Sequence, residues 1–258
     1  VSWGETLYRI LVLLLVGCVT VSQDQTTSAI VKKFAPANRQ RVAEDYEAKS
    51  TAGMVVAAHP LASQAGAKIL DAGGNAIDAA VAASFVISVV RPQSTGIGGG
   101  GFMLFHDASA SHQRVFDFRE RAPRKASRQM YLDSSGAYRE IKYDGKAVKD
   151  PSVNGHLAVA IPGLVKGLVE IHKELGKLDL RTVMAPAIQI AAEGFLVYGA
   201  LAEEIEERQE WLRLYPASRK VFFDEKGALK EGSKLVQRDL AATLREISLT
   251  GTKSFYEG

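Results

Sequence analysis

Apolar residues recur along this chain in distinct rhythms, and each rhythm predicts a different kind of element. The short run Gly53-Met-Val-Val-Ala-Ala58, bounded by Pro60, reads as a core strand. Ala62, Ala65, Ala67, Ile69 and Leu70 then make a small-residue surface on a helix, and Gly73-Gly74 suits a left-handed cap at its end. From Ala76 to Val90 the chain is apolar nearly all round, with Asn75 in place as an N-cap. A helix with so little polar surface is buried, and its alanines let neighbours approach closely. The two helices are expected to form one layer packed on a sheet.

Two strands follow. Phe102 to His106 reads as a buried strand and Val115 to Arg119 as its partner, joined by the polar loop Asp107-Ala-Ser-Ala-Ser-His112 into a hairpin. Alternation in the second strand puts Phe116 and Phe118 on one face and Asp117 and Arg119 on the other. Pro123 ends it. Ser127 to Leu132 is expected as a short helix and Asp133 to Pro151 as a loop-rich segment. Beyond Pro162, helical spacing predicts helices over 163–175, over 179–192 with Asp179 as N-cap and a kink at Pro186, over 200–214, and over 238–247.

Between the second helix and the hairpin lies Arg91-Pro-Gln-Ser-Thr-Gly-Ile-Gly-Gly-Gly-Gly101. So many glycines permit positive φ and a close approach of ligand or backbone, at an entropic cost that points to a site. Gly96, Gly98 and Gly101 spell G-x-G-x-x-G, but a dinucleotide turn needs a strand before the glycines and a helix after them. Here that order is inverted. No Gly-Lys-Ser/Thr follows, which excludes a phosphate-binding P-loop as well.

The N-terminus carries a different signal. Arg9 precedes Ile10-Leu-Val-Leu-Leu-Leu-Val16, an apolar run that suits an export signal and is shorter than the ~20 residues of a membrane span. Leu15-Val-Gly-Cys18 resembles the bacterial lipobox, whose cysteine becomes the lipidated first residue of the mature protein. The alternative is a plain signal peptide cut near Ser22, with Cys18 incidental. Residues 1–18 are thus expected as a signal peptide with lipobox, 19–50 as a polar tether and 51–258 as the folded part. The expected location is exported, periplasmic or at the cell surface, anchored to a bacterial membrane through lipid.

Composition narrows the field of functions. Of 258 residues, 47% are hydrophobic and 24% charged, an ordinary globular balance, and the net charge of +3 comes from interleaved signs. Nucleic-acid binding therefore has no support. Cys18 is the single cysteine, so structural disulfides are excluded. There is no G-x-S-x-G elbow and no His-Glu-x-x-His, and His59, His106, His112, His156 and His172 lack ligand spacing. No metal and no cofactor is assigned. His59 reads as a capping or core residue, and Glu203, Glu204, Glu206, Glu207 and Glu210 as a solvated helix face.

Several stretches carry a resemblance. Met54-Val-Val-Ala-Ala-His-Pro60, Asp71-Ala-Gly-Gly-Asn-Ala-Ile-Asp-Ala-Ala80, Gly96-Ile-Gly-Gly-Gly-Gly-Phe-Met-Leu104, Asp117-Phe-Arg-Glu120 with Ala122-Pro123, and Pro162-Gly163 before a helix occur in this order. Together they resemble the γ-glutamyltranspeptidase (glutathione hydrolase) family from about Met54 onward. The resemblance implies the α/β layered sandwich (αββα) of N-terminal-nucleophile hydrolases, helices outside and two antiparallel sheets inside. Family precursors cut themselves to expose a threonine at the start of a small subunit. That threonine takes the γ-glutamyl group from glutathione or another γ-glutamyl donor and passes it to water, an amino acid or a peptide.

This chain departs from the family pattern at the nucleophile. The family's Thr-Thr-His type of motif is absent, and the Thr26-Thr27 pair is followed by Ser28 within the tether. The chain is therefore expected to be the N-terminal part of the large subunit, partnered by the small subunit of the same precursor, with no catalytic residue of its own. One role does carry over: the resemblance makes Arg119 the group that binds the α-carboxylate of the donor, a task suited to a planar guanidinium. Its alternative is a strand arginine paired with Asp117. For Gly98, Gly99 and Gly100, pocket wall and close packing are both expected roles. A non-catalytic lipoprotein that binds γ-glutamyl compounds, or an amidase acting on poly-γ-glutamate, are the rival functions.

Overall fold

The computed structural model of the chain describes residues 49–258 apart from Asp144 and Lys149. The apolar run at 10–16, Cys18 and the tether lie outside the described residues. Ala52–Gly258 forms one compact unit.

Its centre is a stack of helices. Helix α1 (Pro60–Asp71) packs on α2 (Ala76–Val90), α2 packs on α4 (Leu180–Glu193), and α4 packs on α8 (Arg238–Thr250). Helix α3 (Leu164–Leu175) joins α2 from another side. As its all-round apolarity predicts, α2 is the innermost element, with Val81, Phe85, Val86, Val89 and Val90 fully buried. Ala62 and Ala65 of α1 meet it as small residues that allow close helix approach.

The start of α2 is fastened in several directions. Asn75 Oδ1 accepts from the backbone N–H groups of Ile77 and Asp78 while Asp78 accepts from the N–H of Asn75, a reciprocal capping box. The Asp78 carboxylate is wholly buried and also accepts from the N–H of Lys177 at 3.0 and 3.1 Å, which ties the turn before α4 to the start of α2. Asn75 Nδ2 donates to Leu175 O at the end of α3. At the other end of α2, Gln237 Nε2 donates to Val89 O and so anchors the start of α8.

Strands are few and paired two by two. β1 (Phe102–Asp107) and β2 (His112–Asp117) form an antiparallel hairpin, as do β3 (Ile141–Tyr143) and β4 (Lys146–Val148). β5 (Phe195–Leu196) follows α4. Helices α5 (Gly199–Glu207), α6 (Gln209–Leu214) and α7 (Pro216–Phe222) come next, then β6 (Phe223–Asp224), β7 (Gly227–Ala228) and β8 (Lys234–Leu235). β5 pairs with β8 and β6 with β7, and α9 (Lys253–Tyr256) follows α8. The described residues thus contain helices and four two-stranded sheets, and the two antiparallel sheets of a layered sandwich are not both present within them.

Several expectations are corrected. The run over 53–58 belongs to none of the described sheets, with Met54 and Val56 exposed and Val55 and Ala57 half-buried. β1 is buried on one face only: Met103 and Phe105 pack on the core, while Phe102 and Leu104 stand 60% and 73% exposed. Ser127–Leu132 forms turns through bonds such as Met130 N–H to Ser127 O, with no core-facing stripe to sustain a helix. The segment after Asp133 contains the β3–β4 hairpin, which an Asp-Gly pair at 144–145 signals and the loop reading passed over. The helix expected over 200–214 divides at Arg208.

Candidate substrate-binding site

The hairpin leads directly into the site. In β1–β2 the register pairs Leu104 with Val115 and Phe102 with Asp117. Beyond the last pair, Gly101 and Phe118 exchange both backbone hydrogen bonds at 3.3 and 3.0 Å, so the ladder extends to the residue before Arg119. Phe118 turns inward against α3, and Arg119 stands on the opposite face, the alternation expected of a strand.

Glycines grip this segment from both sides. A Cβ on Gly100 would lie 2.6 Å from Phe118 O and 2.8 Å from Glu120 N, so only glycine admits the chain there. Across the strand, Gly163 abuts Phe118 O and Gly167 abuts the Phe118 ring. Gly99 O accepts from the N–H groups of Gly163 and Leu164, which brings the glycine loop to the start of α3. Among Gly96 and Gly98–Gly101 none adopts positive φ. Their described use is close approach, with Gly98 facing open space.

Arg119 itself is held at its base and open at its tip. Its N–H donates to Asp117 Oδ1 at 3.0 Å, and its guanidinium Nε donates to Glu120 Oε2 at 3.1 Å. The side-chain partner is therefore Glu120, where the sequence alternative placed Asp117. Glu120's carboxyl sits below its usual range, held there first by its own backbone N–H and then by Arg119. The guanidinium carbon lies 5.9 Å from the centre of the Phe102 ring, on the exposed face of the hairpin. With 64% of the Arg119 side chain exposed, its two terminal nitrogens have no partner among the described residues.

Arg119 borders a cleft of about 760 Å³ between β2 and α3, to which Glu120, Arg121, Lys166, Glu170 and Tyr256 contribute. Gly98, Gly99 and Gly100 do not line it. Past Arg119 the chain is pinned again, since Arg121 and Ile161 exchange backbone bonds at 3.1 and 2.8 Å. An arginine fixed this way, with a free pair of parallel N–H donors, is arranged to take a carboxylate end-on. Among the described residues that line the cleft there is no serine, threonine or cysteine.

Other residues singled out in the sequence fall elsewhere. His59 caps α1, its Nδ1 accepting from Leu61 N–H at 3.2 Å, and its ring packs on Tyr198. Burial, then the charge of Arg91, push its pKa down, which keeps the ring nitrogen available as an acceptor. Of the glutamates, Glu204 packs partly and faces Arg208 at 3.8 Å, while the others are exposed. His172 is buried with Nε2 3.1 Å from Asp78 Oδ1 but out of hydrogen-bond alignment. Glu120, Asp78 and Tyr256 were not anticipated as contributors. Glu120 was visible in Asp-Phe-Arg-Glu; Tyr256, 137 positions away from Arg119 by number, had no local signal. Among the described residues no group of three or more His, Cys, Asp or Glu is placed to hold a metal, and no helix is long and apolar enough to cross a membrane.

Comparison with known proteins agrees over most of the chain. A family profile described as Gamma-glutamyltranspeptidase matches residues 62–258. The chain is 42% identical over 206 residues to the glutathione hydrolase proenzyme of Bacillus subtilis (strain 168), covering 80% of this chain and 34% of that protein. To the glutathione hydrolase proenzyme of Escherichia coli (strain K12) it is 38% identical over 234 residues, covering 90% of this chain and 39% of that one. The crystal structure of Helicobacter pylori γ-glutamyltranspeptidase superposes with a TM-score of 0.74 at 39% identity, over 82% of this chain and 58% of that chain. The chain spans about a third of the length of the curated relatives it matches. By profile, by sequence and by superposition, then, this chain belongs to the γ-glutamyltranspeptidase family.

Proposed function

We propose that this chain is the N-terminal part of the large subunit of a γ-glutamyltransferase or glutathione hydrolase, and that it supplies the arginine that captures the donor. The observation that carries this reading is the state of Arg119, a residue that borders a cleft: Nε is engaged by Glu120, the backbone is clamped on both sides, and the terminal nitrogens have no partner among the described residues. Those nitrogens would donate in parallel to the two oxygens of the donor's α-carboxylate. Phe102 lies beside them, its ring centre 5.9 Å from the guanidinium carbon, and a cover over this exposed face would strengthen the charge-assisted bonds.

The chemistry would be completed by residues outside this chain. The hydroxyl of an N-terminal threonine attacks the γ-carbonyl carbon, the C–N bond breaks, and the amine leaves with a proton delivered through the threonine's own α-amine. The resulting γ-glutamyl ester is then attacked by water, giving glutamate, or by an amino acid or peptide amine, giving a new γ-glutamyl amide. In both steps Arg119 keeps the same contact, so it fixes the acyl group while its two partners exchange.

The exposed surfaces support the partial-subunit reading. Phe102, Leu104 and Val115 lie on one face of the hairpin at 60%, 73% and 71% exposure, and Met54 and Val56 before α1 stand 51% and 84% exposed. Exposed apolar surface of this kind requires a cover. The small subunit of the same precursor would provide it, completing the αββα sandwich. We further propose that Cys18 is lipidated, so that 19–50 tethers the enzyme outside the cytoplasm.

The test is made on the complete precursor, including the sequence downstream of Gly258. Self-cleavage that leaves threonine at the new N-terminus, followed by release of the aniline from a γ-glutamyl anilide, is expected. Tight binding of the donor without turnover would establish the non-catalytic lipoprotein instead. Cleavage of poly-γ-glutamate with no use of glutathione or the anilide would establish the amidase.

A further inference from the structure

Tyr256, the last residue of α9, is joined to the start of α3 by its hydroxyl. The hydroxyl donates to Pro162 O at 3.0 Å and accepts from the N–H of Lys166 at 3.2 Å. It thereby bridges the carbonyl just before α3 and one of the helix's first N–H groups, both of which lack partners within the helix. Its ring is braced edge-on by Phe255, with centroids 5.0 Å apart.

The turn that Tyr256 holds is the one that fixes the arginine segment. Ile161, next to Pro162, exchanges both backbone bonds with Arg121. Gly163, on the other side of Pro162, donates to Gly99 O and abuts Phe118 O. Phe118, Arg119, Glu120 and Arg121 are therefore confined between the glycine loop and the Ile161–Gly163 turn. Pro162 has no N–H of its own, so its carbonyl is the polar group by which the turn can be tied from outside.

We infer that Tyr256 is a positioning residue for Arg119, acting through the Ile161–Gly163 turn to set where the guanidinium meets the donor's carboxylate. The inference rests on the reading of Arg119 as the donor-binding group. The geometry is suited to it because the hydroxyl serves as donor and acceptor at once. Burial pushes the phenol above its usual value, against the smaller opposite effect of the Lys166 N–H, so both roles persist at neutral pH. Loss of the hydroxyl leaves the ring packing in place and frees the turn to shift. A displacement of a fraction of an ångström in a two-pronged contact is felt mainly in donor capture.

The test compares five forms of the complete, self-processed protein with a γ-glutamyl anilide: wild type, Tyr256→Phe, Arg119→Ala, the double variant of these two, and Ser254→Ala. Tyr256→Phe is expected to process normally and to lose about tenfold in kcat/KM, chiefly through KM, the size expected for one hydrogen-bonded bridge to a positioning turn. In the Arg119→Ala background the same change should alter kcat/KM by less than about twofold, because the group through which it acts is gone. Ser254→Ala removes an exposed hydroxyl contact with Thr250 on the same stretch and should leave kinetics at wild-type values. Wild-type kcat/KM in Tyr256→Phe would overturn the inference. So would an equal loss in both backgrounds, or a failure of Tyr256→Phe to process, since either marks a general effect on the fold. Absence of turnover in the processed wild type would remove the functional reading itself, and the inference with it.

Discussion

Arg119→Ala in the complete protein should cripple use of γ-glutamyl donors and leave self-cleavage intact. Self-cleavage acts on a peptide bond already held by the fold, whereas the donor arrives from solution and must be caught by its α-carboxylate. The substitution removes the two terminal donors that lack a partner among the described residues and also strips Glu120 of its side-chain cation. A donor carboxylate would then meet an unpaired carboxylate where it formerly met a guanidinium. Loss of a charge-assisted pair in a partly dry site costs about 2–4 kcal/mol, roughly 30- to 1,000-fold in kcat/KM. Folding should change little, because the contact with Glu120 is a surface ion pair and the backbone bonds at Phe118 and Arg121 survive. Arg119→Lys should recover little: an ammonium that satisfies Glu120 has no second prong to offer. The assay is kcat/KM for a γ-glutamyl anilide on processed wild type and both variants. If Arg119 only positions the donor, the loss falls in KM; a large fall in kcat shows that it also aligns the carbonyl for attack. A variant that processes normally and retains wild-type kcat/KM would refute the assignment and leave Arg119 as the surface partner of Glu120.

Other outcomes follow from the same structure. Asp78→Ala removes a wholly buried carboxylate that accepts from the N–H groups of Asn75 and Lys177 and should destabilise the protein by about 2–4 kcal/mol, read as a lowered denaturant midpoint; a shift below about 1 kcal/mol would deny its role in tying these segments together. The 258-residue chain expressed alone should neither cleave itself nor release aniline from a γ-glutamyl anilide, and should bind a hydrophobic dye through the Phe102, Leu104 and Val115 face. Turnover by that chain, abolished by a point change within 51–258, would show the nucleophile to lie inside it. Labelled fatty acid should enter the full-length protein and be lost in Cys18→Ser; equal labelling of both, or of neither, would exclude a lipid anchor at that position.

Local pattern was enough to determine the helices that make the core. The apolar run from Ala76 to Val90 announced a buried helix with Asn75 as its cap, and Asp179 announced the next one, because capping and periodicity are short-range physics. The alternation in Val115–Arg119 likewise placed Phe116 and Phe118 inward and Arg119 outward. Burial of β1, by contrast, was misjudged. An apolar strand covered on one face reads the same as one covered on both, and the number of layers that meet it is decided by parts of the fold distant in sequence. The apolar run at 53–58 likewise reads as a strand by pattern, whereas strand pairing requires a neighbour that a local pattern does not supply. For the site, the sequence marked Arg119 through its motif but could not say that Glu120, and not Asp117, would hold the guanidinium. Neighbours two apart on a strand share a face, yet Asp117 spends its carboxylate on the Arg119 backbone N–H. Only the tertiary structure brought the Ile161–Gly163 turn and Tyr256 to the arginine. Those contacts join segments about 40 and 94 positions apart, and no local rule of spacing or propensity reaches across that distance.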